Sequence, residues 1–583
     1  MTARVVPDLL RQRAAEEPGA VALRMGGAGR LTYGEWEQRS NALARGLVAR
    51  DVRPGDRVGL VFDADRWLDY ATAYLGVLKA AGTAVPAGAR FAGPELRRVL
   101  GHAGVAGVVR AGRPRPPGDG GGWWEAAPEE LATGRPTDAI QEPAGSDDLA
   151  EILYTSGTTG APKGVACSHL GLLAHDVPAD AAGASARSEP VSFLHAFPIG
   201  TQAGQEALRV PLRIGGRVAV VLPTFDADEL CALVARYGVV RLQLVPSMAQ
   251  VLAASGAWRR HDVSSLGRIV LSGAPAAPAL FERLAAAFPG VSLWNGYALT
   301  EAGPARTLTE WDRERPDSVG RPVGGTELRV VDDAGRDVPA GEAGEVWLRR
   351  PGTPPRWYFD DPEATARTFL PDGWVRSGDL GCLDAEGRLH LAGRRKDLII
   401  TGGSNVSPVE VEHALAEHPA VVDAAVFGVP HPVLGEDVAA AVVVRAPTSA
   451  RELQDVVRAR LAEHKVPHRV FLVDGLPRNP SGKVLKAELR ARFATFAADG
   501  SYVAARTDTE AVVASVWEAV LELPRVGVDD DFFALGGHSL AAGQITARLQ
   551  DAFGVELPVA AVFEAPTVAE LSRVVEAATA AAR

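Results

Sequence analysis

Apolar and polar positions along this chain follow two periods. The run Arg57-Val58-Gly59-Leu60-Val61-Phe62 is short, apolar and partly β-branched, as a buried strand is. Residues 75–80 read as the end of a helix, and a second strand begins after Gly82. Strands alternating with helical stretches predict an α/β sheet with crossover helices. The rhythm breaks at 112–147, where GRPRPPGDGGGWWEAAP leads an excursion that reads as surface, and it then resumes. Residues 398–495 alternate in the same way. The charged run GRRKD at 393–397 separates two apolar segments and reads as a hinge or a solvated loop. AADGSYVAART at 497–507 is small and polar, as a linker is.

After the linker the period becomes helical throughout. Val513, Val516, Trp517, Val520 and Leu521 lie on one face of a helix. Ala542, Ile545, Leu549 and Phe553 mark a second. Thr567 and Glu570, after Pro566, form the T-x-x-E capping box of a third. The tail is thus predicted to be a small helical bundle.

A chain of 583 residues exceeds one hydrophobic core, so several domains are expected. The N-terminus lacks the apolar core of a signal peptide, and apolar runs such as 421–429 are too short to span a membrane. Cys167, Cys231 and Cys382 are too few and too far apart for a disulfide framework or a zinc site; they suit a reducing, cytoplasmic setting. A net charge of −11 argues against a nucleic-acid binder. From Asp508 onward 12 acids face 4 Arg, a balance of about −8. Such a tail suits either partners with basic patches or plain solubility.

One segment carries a strong chemical signal: Tyr154-Thr155-Ser156-Gly157-Thr158-Thr159-Gly160-Ala161-Pro162-Lys163-Gly164 follows an apolar strand. Hydroxyls, glycine amides and one Lys supply the donors, close backbone approach and positive charge that a polyphosphate needs. It is not a Walker loop, because no Gly-Lys-[Ser/Thr] closes it, and Ser481-Gly482-Lys483-Val484 fails the same test.

This loop resembles the signature of the adenylate-forming superfamily, which includes acyl-CoA synthetases, nonribosomal-peptide adenylation domains and luciferases. Four further segments are similar to that family's motifs, in its order: Asn295-Gly296-Tyr297-Ala298-Leu299-Thr300-Glu301, Ser377-Gly378-Asp379-Leu380, Gly393-Arg394-Arg395-Lys396-Asp397, and Leu476-Pro477-Arg478-Asn479-Pro480-Ser481-Gly482-Lys483. The resemblance spans about 490 residues, far beyond a single motif. It implies ATP binding by Thr155, Ser156, Gly157, Thr158, Thr159, Gly160, Lys163, Asn295, Gly296, Tyr297, Asp379 and Arg394. Tyr297 offers a face to adenine, and Asp379 accepts from ribose hydroxyls. Thr300 and Glu301 are expected at the reacting centre, with Glu301 a Mg²⁺ ligand. Lys483 is expected to bridge the carboxylate and the α-phosphate as charge builds up. Lys396 is the implied hinge, and Gly402 and Gly403 lie on the face implied to admit a thiol. Ala298 stands where glycine is commoner.

Asp531-Phe532-Phe533-Ala534-Leu535-Gly536-Gly537-His538-Ser539-Leu540 resembles the attachment site of acyl and peptidyl carrier domains. A serine at a helix N-terminus after two glycines is reachable, and the helix end favours a phosphodiester. Ser539 is therefore the expected 4'-phosphopantetheine site. A hydrolase elbow is excluded, because Gly537-His538-Ser539-Leu540-Ala541 lacks the final glycine.

The expected acyl pocket comprises His195, Ala196, Phe197, Gly200, Ser272 and Gly273. In amino-acid-activating relatives an Asp near Ala196 binds the α-ammonium, and an ammonium buried without a carboxylate is costly. The expected substrate is therefore an aryl, aliphatic or otherwise modified acid. Glu206 keeps β- or ω-amino acids open as an alternative anchor, or it is a solvated helix-surface acid.

The fold implied by the resemblance has two α/β subdomains and a small β-barrel, then a mobile α/β subdomain and an all-α four-helix carrier. The divisions are 1–392, a hinge at 393–397, 398–496, a linker at 497–507, and 508–583. The expected reaction is ATP- and Mg²⁺-dependent formation of an acyl-adenylate, then transfer to the pantetheine thiol of the same chain. No condensation, ketosynthase or thioesterase segment is visible, so a loading or stand-alone module of natural-product biosynthesis is expected. It would need a phosphopantetheinyl transferase and a downstream condensation, ketosynthase or acyltransferase partner. The alternatives are an acyl-CoA or aryl-CoA synthetase and a non-catalytic docking scaffold.

Overall fold

The computed structural model describes all residues except 1–3, 28, 89–90, 92, 113–121, 141–143, 156–161, 175–190, 432–433, 480–481, 494–502, 522, 524, 531, 533–534, 536–538 and 583, together with the side chains of 539, 540 and 582. The chain divides into two compact units. One is Met1–Arg395 with Arg478–Lys483; the other is Lys396–Pro477 with Val484–Arg583.

The first unit is built on two sheets. In the larger, the strands Ser292–Ala298, Arg268–Leu271, Val239–Leu244, Val191–His195, Arg217–Val221 and Val21–Met25 are parallel neighbours in that order. Their registers pair Leu271 with Asn295, and His195 with both Gln243 and Val221. The carboxyl ends of the strands therefore line one edge, where open α/β sheets bind ligands. The crossover helices Ala227–Tyr237, Pro246–Ser255 and Pro278–Ala287 bury Leu230, Val234, Leu252, Phe281 and Leu284 against the sheet. Beyond Ser292–Ala298 the sheet continues as an antiparallel run in the place of the expected barrel: Arg306–Glu310, Ser318–Val323, Leu389–Arg394, Val375–Leu383, Gly344–Arg349 and Glu327–Val331.

The second sheet orders Trp357–Tyr358, Lys163–Ser168, Leu149–Thr155, Thr83–Gly88, Arg57–Phe62, Gly107–Ala111 and Trp124–Ala126. The strand predicted at 57–62 has those bounds, and residues 75–80 close the helix Trp67–Lys79. The reading of 112–147 needs correction. Residues 113–121 lie outside the described set, but Trp124–Ala126 extends the sheet and Pro128–Ala132 packs on the helix Tyr33–Val48, burying Ala126 and Leu131. Pro and Gly in this segment punctuate real elements, which a composition argument cannot see.

In the second unit, the strands Val421–His431 and Gly435–Val444 form the centre of a five-stranded sheet. Val426 faces the helices Pro408–Ala416 and Ala450–Arg458, while its neighbours Ala425 and Phe427 face Lys486–Phe493, as the two-residue period of a strand requires. The tail folds as Asp508–Leu521, Ser539–Phe553, Ala560–Glu564 and Val568–Ala582 around Trp517, Phe532, Ile545, Leu549 and Leu571. The predicted capping box is present: Glu570 N–H donates to Thr567 Oγ1 (3.2 Å), and Thr567 N–H donates to Glu570 Oε2 (3.3 Å). Residues 497–502 of the expected linker lie outside the described set. Its end packs on the carrier, with Val503 O accepting from Val528 N–H and Arg506 bonded to Glu510. Among the described residues, no helix is long and apolar enough to cross a membrane.

The contact made by residues 128–132 is tight at Gly46, where a Cβ would lie 2.0 Å from the Leu131 carbonyl oxygen. Gly46→Ala should therefore cost about 1–3 kcal/mol in urea unfolding of the whole chain, by overpacking. An unchanged midpoint would return the segment to the status of a loose surface excursion.

Candidate active site

The strand ends bring several predicted residues together. His195 ends one parallel strand, Ser272-Gly273 follow another, and Thr300-Glu301 follow Ser292–Ala298. The segment expected to hold polyphosphate joins Leu149–Thr155 to Lys163–Ser168, an antiparallel pair in which Thr155 sits opposite Lys163. Ser156, Gly157, Thr158, Thr159 and Gly160 lie outside the described residues.

Asp379 is the best-braced acid of the site. Tyr297 Oη donates to its Oδ2 (2.6 Å), and Arg394 Nε pairs with its Oδ1 (3.0 Å). Arg394 lies opposite Asp379 on the neighbouring strand, so register alone makes that contact. Each carboxylate oxygen keeps a further lone pair, the acceptor capacity that two ribose hydroxyls would use. Burial and the Asp379 charge push the Tyr297 phenol well above its ordinary pKa, so it stays a donor. Ser377 Oγ accepts from Asp379 N–H (3.0 Å), and Glu345, buried beside Arg376, accepts from Gly378 N–H (3.2 Å). Asn295 turns out to brace the sheet, its amide donating to the Ser318 carbonyl (3.0 Å).

Glu301 accepts from Tyr358 Oη (3.0 Å), and Lys163 Nζ lies 4.8 Å from the centre of the same ring. The other Glu301 oxygen is a hard donor of the kind Mg²⁺ takes. Burial and Glu301 raise the Tyr358 pKa, which keeps that phenol protonated too. The Thr300 carbonyl accepts from Arg356 Nη1 (2.7 Å), which also reaches Gln202 Oε1 (3.2 Å).

Lys483 belongs by its contacts to the first unit, and its charged neighbours there are Arg394, Asp379 and Glu301. Its turn is closed by Gly482 N–H to Asn479 O and Lys483 N–H to Asn479 Oδ1, each 2.9 Å. A Cβ at Gly482 would meet Val245 at 3.3 Å, and one at Gly273 would meet the same side chain at 3.6 Å. Crowding by protein lowers the Lys483 pKa, Arg394 adds to this, and the two carboxylates oppose it; the residue itself stays open to solvent.

The pocket residues divide. His195 is buried in an aromatic stack with Phe193 and Phe197, edge-on to Trp67, and its Nδ1 accepts from Phe197 N–H (3.2 Å). Ala196 packs into the hydrophobic core. Gly200 is required by close approach, since a Cβ there would sit 3.1 Å from Pro86 O at φ +84°. Glu206 is neither a spare anchor nor a solvated acid: Arg209 (2.8 Å) and Arg213 (3.0 Å) hold its two oxygens.

In the second unit, Gly402 and Gly403 (φ +54° and +82°) form a two-residue hairpin turn that needs positive φ at both positions. Lys396 starts that unit. The Ser539 backbone opens the helix Ser539–Phe553, and its side chain lies outside the described set.

Sequence reasoning missed Tyr358, Arg356 and Glu345. Only their place opposite motif residues reveals them, since an Arg-Trp-Tyr run and a lone Glu carry no spacing signal.

The chain matches the AMP-binding enzyme family over residues 10–358, the AMP-binding enzyme C-terminal domain over 410–483 and the phosphopantetheine attachment site over 511–575. It is 37% identical over 504 residues to a feruloyl-CoA synthase of Amycolatopsis sp, covering 83% of this chain and 98% of that protein. It is 32% identical over 553 residues to CymA, a probable non-canonical nonribosomal peptide synthetase of Salinispora arenicola; that match covers 93% of this chain but only 7% of the synthetase. The structure of ATP-bound MatB from Rhodopseudomonas palustris superposes with a TM-score of 0.74 at 29% identity, over 84% of this chain and 99% of that one.

Burial holds His195 neutral, with its pKa lowered to about 3. A depressed folded pKa stabilises above the unfolded value of about 6.5 and loses that contribution as the pH falls below it. Between pH 7 and 5 this residue should cost the fold about 2 kcal/mol. In urea unfolding at the two pH values, His195→Gln should lose correspondingly less stability than the parent. Parallel losses would place His195 in contact with water.

Proposed function

This chain belongs to the AMP-binding enzyme family and carries that family's C-terminal domain and a carrier domain, and from that premise we propose that it loads its own carrier with the carboxylic acid it adenylates. The observation that carries this reading is the union, in one chain, of the Tyr297–Asp379–Arg394, Glu301 and Lys483 site with a helix opening at Ser539.

In this reading Asp379 orients the ribose and Tyr297 packs against adenine while bracing Asp379. Thr155, the hydroxyls and glycines of 156–160, and Lys163 hold the phosphates. The acid's carboxylate attacks the α-phosphorus and pyrophosphate leaves. Lys483, which has Glu301 and Asp379 among its charged neighbours, offsets the charge that develops there. Glu301 would hold Mg²⁺, which when bound neutralises phosphate charge. The 4'-phosphopantetheine on Ser539, once attached by a phosphopantetheinyl transferase, would supply the thiol that takes the acyl group as AMP leaves. Tethering gives that thiol an effective concentration in about the millimolar range, which favours it over free CoA. Lys396 is the proposed hinge, and Gly402-Gly403 the thiol-side turn.

The pocket supports an acid without an α-ammonium. Ala196 supplies no charge, His195 is neutral and aromatic-stacked, and Glu206 is neutralised by two arginines. The similarity to nonribosomal peptide synthetases supports a loading role that feeds a condensation, ketosynthase or acyltransferase enzyme. The similarity to a feruloyl-CoA synthase favours a second reading, with free CoA as the acceptor.

Intact-protein mass spectrometry separates the two. The pantetheinylated chain, given ATP, Mg²⁺ and a mixed pool of acids, should gain an acyl mass that Ser539→Ala abolishes. Lys483→Ala should slow adenylation roughly 10²–10³-fold. Acylation of free CoA while the carrier stays empty would replace self-loading by the second reading. Turnover of α-amino acids alone would overturn the substrate class.

A further inference from the structure

We infer that Arg356 is an oxyanion clamp for the part of ATP that leaves as pyrophosphate, an assignment that rests on the adenylation reading and adds a residue outside every motif. Arg356 is 4% exposed. Its Nη1 is used on the Thr300 carbonyl (2.7 Å) and Gln202 Oε1 (3.2 Å). Its Nε and Nη2 are buried and have no hydrogen-bond partner among the described residues, and no described carboxylate forms an ion pair with it.

A buried guanidinium without a counter-charge is costly, and such groups are normally paired. Here the unused nitrogens are not scattered. Nε and Nη2 form one edge of the planar group, with the parallel N–H geometry that grips two oxygens of a phosphate or carboxylate. Nη2 also lies against Gly303, where a Cβ would come within 2.8 Å of it, so glycine leaves this nitrogen its room.

Position selects the anion. Arg356 lies two residues before Tyr358, and the pair contacts consecutive residues: Arg356 the Thr300 carbonyl, Tyr358 the Glu301 carboxylate. The Tyr358 ring carries Lys163, the last charged residue of the polyphosphate loop. Arg356 and Lys163 are thus both tied to the Thr300-Glu301 segment, Arg356 directly and Lys163 through the Tyr358 ring, a placement that suits the β- and γ-phosphates. The predicted acyl side offers instead the aromatic stack of Phe193, His195 and Phe197.

ATP and AMP differ only in those phosphates, so calorimetric titration of the full-length protein with each nucleotide, in Mg²⁺ and without any acid, isolates the clamp. Arg356→Gln should weaken ATP binding roughly 10–100-fold, the range for hydrogen bonds to a charged group. AMP affinity should not change, which also reports an intact fold. Arg356→Lys, a point charge without the fork, should fall between the two. Equal losses for ATP and AMP, or no loss for ATP, would overturn the clamp. An unmodified protein that binds neither nucleotide would overturn the adenylation reading itself, a separate failure.

Discussion

Asp379 is almost buried, and a carboxylate withdrawn from water is tolerated only when its oxygens are paired. Here the partners come from two other strands: Tyr297 from the edge of the parallel sheet and Arg394 from the antiparallel extension. The pair of contacts ties the two halves of the large sheet together where nucleotide chemistry is expected. It also fixes the local electrostatics. Burial and this carboxylate keep Tyr297 protonated; burial and then Arg394 lower the Lys483 pKa, and Asp379 with Glu301 opposes that. Breaking this brace would leave a buried charge without its partners.

The same logic governs the neighbouring polar groups. Glu206 meets Arg209 and Arg213, and Glu151 meets Arg209 and Tyr74. Glu151 holds the helix Gln202–Arg213 to the second sheet through Arg209, while Glu206 is paired within that helix. The stack of Phe193, His195 and Phe197 is likewise buried and carries no charge, His195 being held neutral.

The relatives fit this division of labour. The chain is similar in sequence both to a protein named as a feruloyl-CoA synthase and to part of a much longer peptide synthetase, and in structure to ATP-bound MatB. To that family's domains this chain adds a carrier bundle packed around Trp517 and Phe532.

The sequence by itself determined a great deal. Periodicity located the strand at 57–62, the helical tail and the Thr567 cap, because local hydrogen bonding and a single apolar face decide those. Motif order determined the family, because hydroxyls, glycines, acids and a lysine at set places are what ATP chemistry demands. Only the tertiary structure decided the rest. Residues 124–132 joined the core through Leu131, Asn295 became a sheet brace, and Glu206 was taken by two arginines. Tyr358, Glu345 and Arg356 entered the site from distant segments. Each of these depends on strand register and on which charge lies opposite which, and such pairing across hundreds of residues leaves no trace in local spacing.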